Sequence, residues 1–494
     1  MMATSLYTSA QVRELDQLAI RTLDTPGYVL MQRAGDAAFR LLRGRWPQAR
    51  NIVVVCGTGN NGGDGYIVAR LARQAGFHVD AIALAEPSGQ GDAARACADW
   101  RAAGGAILPA SADLPDADVY VDALFGTGLA RAVEGAARRL IEQLNTSGRP
   151  LLSLDVPSGL HADTGNVLGI AVRATATITF VAHKRGLFTG AAADHCGELI
   201  LDALGLPDTL YTLCAADARL LDALEMRRWL PSRSRGAHKG DFGHVLAIGG
   251  ERGMGGAIRL AGEAALRVGA GLVSVATRAK HISALNAARP ELMAHAIDGV
   301  AALAPLLQRA SVIALGPGLG QSDWSRALWH AAIAAGKPTV LDADALNLLA
   351  HEPLSLPANS VLTPHPGEAA RLLSCDTAEI ARDRFAAART IAKRHAAVVV
   401  LKGAGSLIAN PDGEVAVCLW GNPGMASGGM GDVLTGVIAS LLAQGLDPWR
   451  AACLGVGLHA RAGDVAAQYG EAGMVASDLF KPLRTLRNPD AVDG

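Results

Sequence analysis

The run Gly421-Asn422-Pro423-Gly424-Met425-Ala426-Ser427-Gly428-Gly429-Met430-Gly431-Asp432 is glycine-dense and ends on an acid. Val433, Leu434, Val437, Ile438, Leu441 and Leu442 follow at helical spacing. A helix that opens on a glycine turn aims unpaired backbone N–H groups at whatever lies before it, which makes an anion site. An aspartate at the mouth of that site repels an anion that is merely bound. It has a use if the anion is a phosphoryl group in transfer and the carboxylate takes the proton of the attacking hydroxyl. The competing reading is an ordinary helix entry, with Asp432 as a first-turn acid favoured by the helix dipole.

A second constellation lies near the other end of the chain. Asn51-Ile52-Val53-Val54-Val55-Cys56 predicts a strand buried on both faces. Gly57-Thr58-Gly59-Asn60-Asn61-Gly62-Gly63-Asp64-Gly65 follows, then helical spacing through Ile67, Val68, Leu71 and Ala72. Gly57, Gly59 and Gly62 meet G-x-G-x-x-G on paper, but asparagines and an aspartate fill the loop where a pyrophosphate would have to approach, so it is not a dinucleotide fingerprint. Asn60, Asn61 and Asp64 offer oxygens suited to a sugar, an amide or a hard cation. The alternative is an Asx-rich turn satisfying its own backbone. Two more strands end in the same way. One carries Asp122 into Gly126-Thr127-Gly128-Leu129, and another ends at Asp155 before Val156-Pro157-Ser158-Gly159. Acids at the C-terminal ends of parallel strands converge on one crevice.

Other polar residues are ambiguous alone. His365, between two prolines, reads as a turn residue of a site, without a Cys or His partner at zinc spacing. Lys402 before Gly403 can reach a phosphate or stay solvated. Asp342, Asp344 and Asn347 can orient a Mg²⁺-bound water or cap the next helix. Lys184 and Arg185 read as solvated loop charges or as phosphate-steering groups, and His238 and Lys239 as loop surface.

Positioning these residues takes alternating strands and helices. Thr8-Ser9-Ala10-Gln11 has the form of a capping box ahead of a helix through Val12, Leu15 and Ala19. Further strands are predicted over 175–181, 199–201, 244–248, 272–276, 312–315, 339–342, 361–363 and 397–401, and one amphipathic connecting helix over 215–228. The alternation argues α/β architecture with a mainly parallel sheet in each half. At 494 residues more than one domain is expected, with a junction near 215–230. Charged residues make up 18% and the formal net charge is −1, so no global basic field invites nucleic acid or a membrane surface. Seven dispersed cysteines read as reduced thiols, and the start lacks the pattern of a signal peptide, so a cytoplasmic protein is expected.

Together these motifs resemble a known family. Gly316-Pro317-Gly318-Leu319-Gly320, Leu341-Asp342-Ala343-Asp344-Ala345-Leu346-Asn347, Thr363-Pro364-His365-Pro366-Gly367-Glu368, Leu401-Lys402-Gly403 and the Asp432 stretch are similar to ADP/ATP-dependent NAD(P)H-hydrate dehydratases. The Asn60, Asp122 and Asp155 loops are similar to NAD(P)H-hydrate epimerases. The resemblance spans nearly the whole chain and implies an N-terminal Rossmann-like α/β/α sandwich (1–215) and a C-terminal ribokinase-like α/β domain (226–494). It implies epimerisation of R and S NADHX or NADPHX by the first. The second would dehydrate the S form with ADP, giving AMP and phosphate. Asn60, Asn61, Gly62, Gly63, Asp64, Gly126, Thr127, Gly128, Leu129, Ala130, Arg131, Ala132 and Asp155 would hold the hydrate in the first domain, with Asp155 as acid/base. Asn61, Asp122 and Ser158 would ligate K⁺. In the second, Ala257, Gly318, His365 and Asp432 would meet the hydrate. Lys402, Gly403, Ala404, Gly405, Ser406 and Gly431 would hold the AMP part, with Mg²⁺ present and Asp432 as base. A homo-oligomer is expected. The alternative is a ribokinase-like kinase of a vitamin precursor with a non-catalytic N-terminal binding module.

Overall fold

The computed structural model describes residues 4–488, so the first three residues of the start lie outside it. The chain divides into two compact units, Met1–Arg219 and Leu220–Gly494. Each is built on strand–helix alternation.

In the first unit seven strands form one parallel sheet, in the order Ile107–Pro109, His78–Ala83, Asn51–Cys56, Val119–Ala123, Leu151–Leu154, Ala176–Phe180, Glu198–Asp202. The pleat sends Ile52, Val54 and Cys56 into a core under the helices Gly27–Arg45 and Asn60–Gln74, and Val53 and Val55 into a core under Gly135–Thr146. The strand order reverses between Asn51–Cys56 and Val119–Ala123. The loops that leave those two strands therefore face one crevice. Glycine is needed where they meet, because a Cβ on Gly57 would lie 1.9 Å from the Leu124 carbonyl oxygen. The capping box forms: Gln11 N–H donates to Thr8 Oγ1 at 3.3 Å, and Thr8 N–H to Gln11 Oε1 at 2.8 Å, opening the helix Ser9–Thr22. Ser5–Tyr7 runs parallel to His183–Lys184 and pins that short strand.

In the second unit seven parallel strands run in the order Met293–Ala296, Leu272–Thr277, His244–Ile248, Val312–Leu315, Thr339–Leu341, Val361–Leu362, Val398–Leu401. Ser406–Ala409 and Val415–Cys418 continue the sheet antiparallel. The order again reverses, between His244–Ile248 and Val312–Leu315. Two helices cross tightly over this switch point. A Cβ on Gly436 of the helix Met430–Ala443 would lie 2.0 Å from the Ala261 carbonyl oxygen of the helix Gly255–Val268.

Some expectations are corrected. In place of one helix over 215–228 there is a strand, Ala218–Leu220, then the helix Ala223–Trp229, whose start Asp222 caps through Glu225 N–H at 2.7 Å. Apolar residues in 215–228 fit either structure, and the carboxylate of Asp222 sets the break. Among the described residues no helix is long and apolar enough to cross a membrane.

Candidate functional sites

At the first unit's switch point lies a cavity of about 740 Å³. Asn60, Asn61, Asp64, Gly126, Thr127, Gly128, Leu129, Ala130, Arg131 and Asp155 all line it. Gly62, Gly63 and Ala132 do not. A side chain on Gly62 would meet the Gly57 carbonyl oxygen at 2.0 Å, and one on Gly63 would meet Met31 Sδ at 2.7 Å, so both glycines serve close packing behind the wall.

Asp122 and Ser158 also lie behind the wall, both fully buried. Ser158 donates to Asp122 through its hydroxyl (2.6 Å) and its backbone N–H (2.8 Å), and Ser153 Oγ adds a bond at 2.9 Å. Burial outweighs these bonds and raises the Asp122 carboxyl above its usual range. Among the described residues neither amide atom of Asn61 finds a partner, though the residue is only 8% exposed. A buried orphan of this kind calls for a ligand.

Asp155 follows its strand with φ +65°, a left-handed turn that a non-glycine residue adopts at a cost. Its carboxylate takes an ion pair from Lys184. Lys184 is 1% exposed, so the solvated-charge reading fails for it. Its ammonium also donates to Thr179 Oγ1 (3.0 Å) and the Phe180 carbonyl (2.8 Å), which makes burial tolerable. Arg185 is buried as well, bonded to Asp217 Oδ2 at 2.7 Å. Asp16, Asp64 and Asp92 share the cavity with Asp155. Burial, with Asp155 nearby, pushes Asp16 up to about 6 despite Lys184. Burial also raises Asp64 well above the carboxylate range. Asp16 escaped the sequence reading because it looks like any polar residue on an amphipathic helix; only its place in the cavity wall marks it.

The second site gathers around Asp432. The helix Met430–Ala443 starts at Gly429 with φ +92°, and its first intrahelical bond runs from Val433 N–H to the Gly429 carbonyl (3.1 Å). The amides of Met430, Gly431 and Asp432 precede that bond and are available to an anion. The Ser427 hydroxyl, in the same turn, is buried without a partner. Asp432 makes no hydrogen bond or ion pair among the described residues. Burial, reinforced by Asp342, pushes its carboxyl up to about 7 despite Lys402. That value suits a base working near neutrality.

Lys402 is the cation of this site. Its ammonium lies 2.8 Å from Asp342 Oδ1 and 3.8 Å from Glu368 Oε2. Burial would lower its pKa, but those two carboxylates prevail and hold it above the usual value. Asp342, 2% exposed in its side chain, also accepts from Thr363 Oγ1 and Thr435 Oγ1, both at 2.9 Å. Burial opposes its charge, and Lys402 and the hydroxyls overcome that, so its pKa falls below the usual range. A Cβ on Gly431 would lie 3.2 Å from Lys402 Nζ, which places the helix entry against this pair. Gly403 and Ser406 close a tight turn, Ser406 Oγ donating to the Gly403 carbonyl at 2.9 Å. Buried Arg384 spans the same turn, donating to the Leu401, Lys402 and Gly405 carbonyls at 3.3–3.4 Å.

His365 is half exposed. Its Nδ1 accepts the Gly367 N–H at 2.9 Å and caps the helix Pro366–Leu373. Burial and the Lys402 charge keep its pKa below the usual value. Gly318, with φ +59°, lies against the helix Gly255–Val268: its Cβ would meet that of Ala257 at 3.2 Å. The cap and Mg²⁺ readings of Asp342, Asp344 and Asn347 both weaken. The helix Asp344–His351 has no side-chain cap, Asp344 Oδ2 accepts Gly320 N–H at 2.8 Å, and Asn347 Oδ1 accepts from Arg371 at 3.0 Å.

Comparison with known proteins bears on both sites. The family described as NAD(P)H-hydrate dehydratase matches residues 245–485, and that described as YjeF-related protein N-terminus matches 27–186. The chain is 49% identical over 490 residues to the bifunctional NAD(P)H-hydrate repair enzyme of Coxiella burnetii, covering 98% of this chain and 100% of that one. It is 45% identical over 492 residues to the enzyme so named from Escherichia coli, covering 99% and 95%. Among solved structures, the ADP/ATP-dependent NAD(P)H-hydrate dehydratase of Bacillus subtilis, co-crystallized with ATP and Mg²⁺, is 30% identical. It covers 55% of this chain and 98% of that chain, at a TM-score of 0.50.

Proposed function

The chain belongs to the bifunctional NAD(P)H-hydrate repair enzymes, and on that premise we propose how its residues divide the work. The first unit epimerises hydrated nicotinamide cofactors, and the second dehydrates the hydrate with ADP as co-substrate.

In the second unit, hydroxide is a poor leaving group until it is phosphorylated. Asp432 takes the proton of the hydrate's hydroxyl as that oxygen attacks the β-phosphoryl of ADP, and AMP departs. The amides of Met430 and Gly431, with the Ser427 hydroxyl, receive the charge on the transferring group. Lys402, positioned by Asp342, sits beside the same turn and steadies the phosphates together with the 403–406 turn. Ala257, Gly318 and His365 border the hydrate. The carbon–oxygen bond then breaks with phosphate as leaving group, driven by the ring nitrogen's lone pair, and loss of a ring proton restores the reduced cofactor. The observation that carries this assignment is Asp432: uncommitted, next to free helix-entry amides, with a pKa of about 7. Asp432→Asn should abolish ADP-dependent recovery of nicotinamide absorbance while R and S hydrates still interconvert. Full dehydration by this variant would remove Asp432 from the role.

In the first unit the 740 Å³ cavity holds the hydrate, and Asp155, oriented by Lys184, exchanges the proton. The buried Asn61 amide, without a partner among the described residues, supports the K⁺ reading, in which Asp122 and Ser158 would add hard donors by giving up bonds they now make to each other. K⁺ there would fix the Asn61 and Ser158 loops by charge. The Mg²⁺ expected for the second unit finds no such set, because Asp342, Asp344 and Asn347 are already engaged. A Mg²⁺ that arrives on the nucleotide's phosphates needs few protein ligands, and no step above depends on it.

A further inference from the structure

The two helices that border the dehydration site end well away from it. Gly255–Val268 and Met430–Ala443 each have 14 residues, about 21 Å at ~1.5 Å per residue. Their C-terminal ends are tied together: Gln444 Nε2 donates to the Val268 carbonyl at 3.2 Å. Around those ends lies a second cavity, of about 750 Å³. Its wall carries Arg233, Arg267, Arg289, Lys481, Arg484 and Arg487 against the carboxylates of Glu263 and Glu291. Such a surplus stands out in a chain of formal net charge −1.

Glu263 accounts for part of the cluster. Its side chain is 2% exposed; Oε1 is bonded by Arg289 and lies 3.4 Å from Arg267, and Arg259 lies 3.7 Å from Oε2. Cations at helix C-termini account for another part, since Arg233 donates to the Gly269 carbonyl and stacks on Phe242 at 3.8 Å. Arg487 also ends its own helix, Phe480–Arg487, but its side chain bonds outside that helix. It is 8% exposed, fixed by bonds to the Pro231 carbonyl (2.6 Å) and Gln444 Oε1 (3.2 Å), and its Nε has no partner among the described residues. Burial and then the nearby Arg233 charge lower its pKa. Arg289 Nε is likewise buried without a partner. Lys481 and Arg484 add exposed charge at the mouth, with no side-chain bond of their own among the described residues. Guanidinium groups already held in place, with N–H donors to spare, suit phosphoryl oxygens.

We propose that this cavity is a second anion site, separate from the dehydration centre, for a small molecule carrying two or more phosphoryl charges. The volume is that of a small-ligand site.

The test is calorimetric titration of the full chain with inorganic pyrophosphate, with saturating AMP present to fill the catalytic nucleotide place. One equivalent should bind, and binding should weaken steeply with salt. The Lys481→Gln/Arg484→Gln double variant should bind pyrophosphate at least about tenfold more weakly, with unchanged melting temperature and unchanged dehydration kcat in the absence of pyrophosphate. Inorganic phosphate should bind the wild type more weakly than pyrophosphate does. Absence of pyrophosphate binding under these conditions would overturn the proposal, and so would equal affinity in the double variant.

Discussion

Asp432 carries the most consequence of any single residue. Its carboxyl titrates at about 7 because burial, with Asp342 nearby, outweighs the pull of Lys402. The base must be ionised to accept a proton, so kcat/KM for dehydration should climb with pH through about 7 and level off above it. The same group affects stability with the opposite sense. Its folded pKa lies above the unfolded value of about 3.9, so the stability it contributes is complete below pH 4 and lost as pH rises through 7. Asp432→Asn should therefore melt above the wild type at pH 8, with the gap closing by pH 4. A melting difference that grew toward low pH would contradict this assignment. In the first unit, Asp16 titrates at about 6 among Asp64, Asp155 and Lys184. Asp16→Asn should slow epimer exchange about a hundredfold and erase an inflection near pH 6 from its rate profile. An unaltered profile would leave Asp16 a bystander in the wall.

At the scale of elements, both sites depend on close backbone approach. Gly436 allows the helix Met430–Ala443 to touch the Ala261 carbonyl, which fixes the Asp432 turn relative to Ala257 and Gly318. Gly436→Val should cost about 3 kcal/mol by overpacking, read as a lower melting temperature, with dehydration lost in step. The glycine turns and the acids at strand ends were legible in the sequence because each is a local signal: an apolar strand, then a polar or glycine punctuation. Other elements were not. Met293–Ala296, Ser406–Ala409 and Val415–Cys418 have four residues each, too few to show a period, even though the last two pair locally across 410–414. Lys184 was misjudged for a different reason. Its burial depends on Ser5–Tyr7 pairing with His183–Lys184 and on Asp155, 29 residues away. A lysine beside an arginine in a loop gives no hint of that partner. His365 was legible as a turn residue, while its helix-capping bond to Gly367 appears only in three dimensions.

For the whole molecule, the two activities are complementary. A dehydratase that takes one epimer leaves the other behind, and an epimerase on the same chain converts that remainder into usable substrate. The residues assigned to each activity lie in separate compact units. Either activity should therefore be removable without the other. The most direct test follows nicotinamide absorbance when Asp155→Ala enzyme is given ADP and a mixture of R and S hydrates. The wild type should restore all the cofactor in one continuous phase. The variant should restore the S fraction at the wild-type rate and then stall, leaving R hydrate to react only as fast as it epimerises unaided. Complete, single-phase conversion by the variant would contradict the assignment of Asp155 and of the cavity around it.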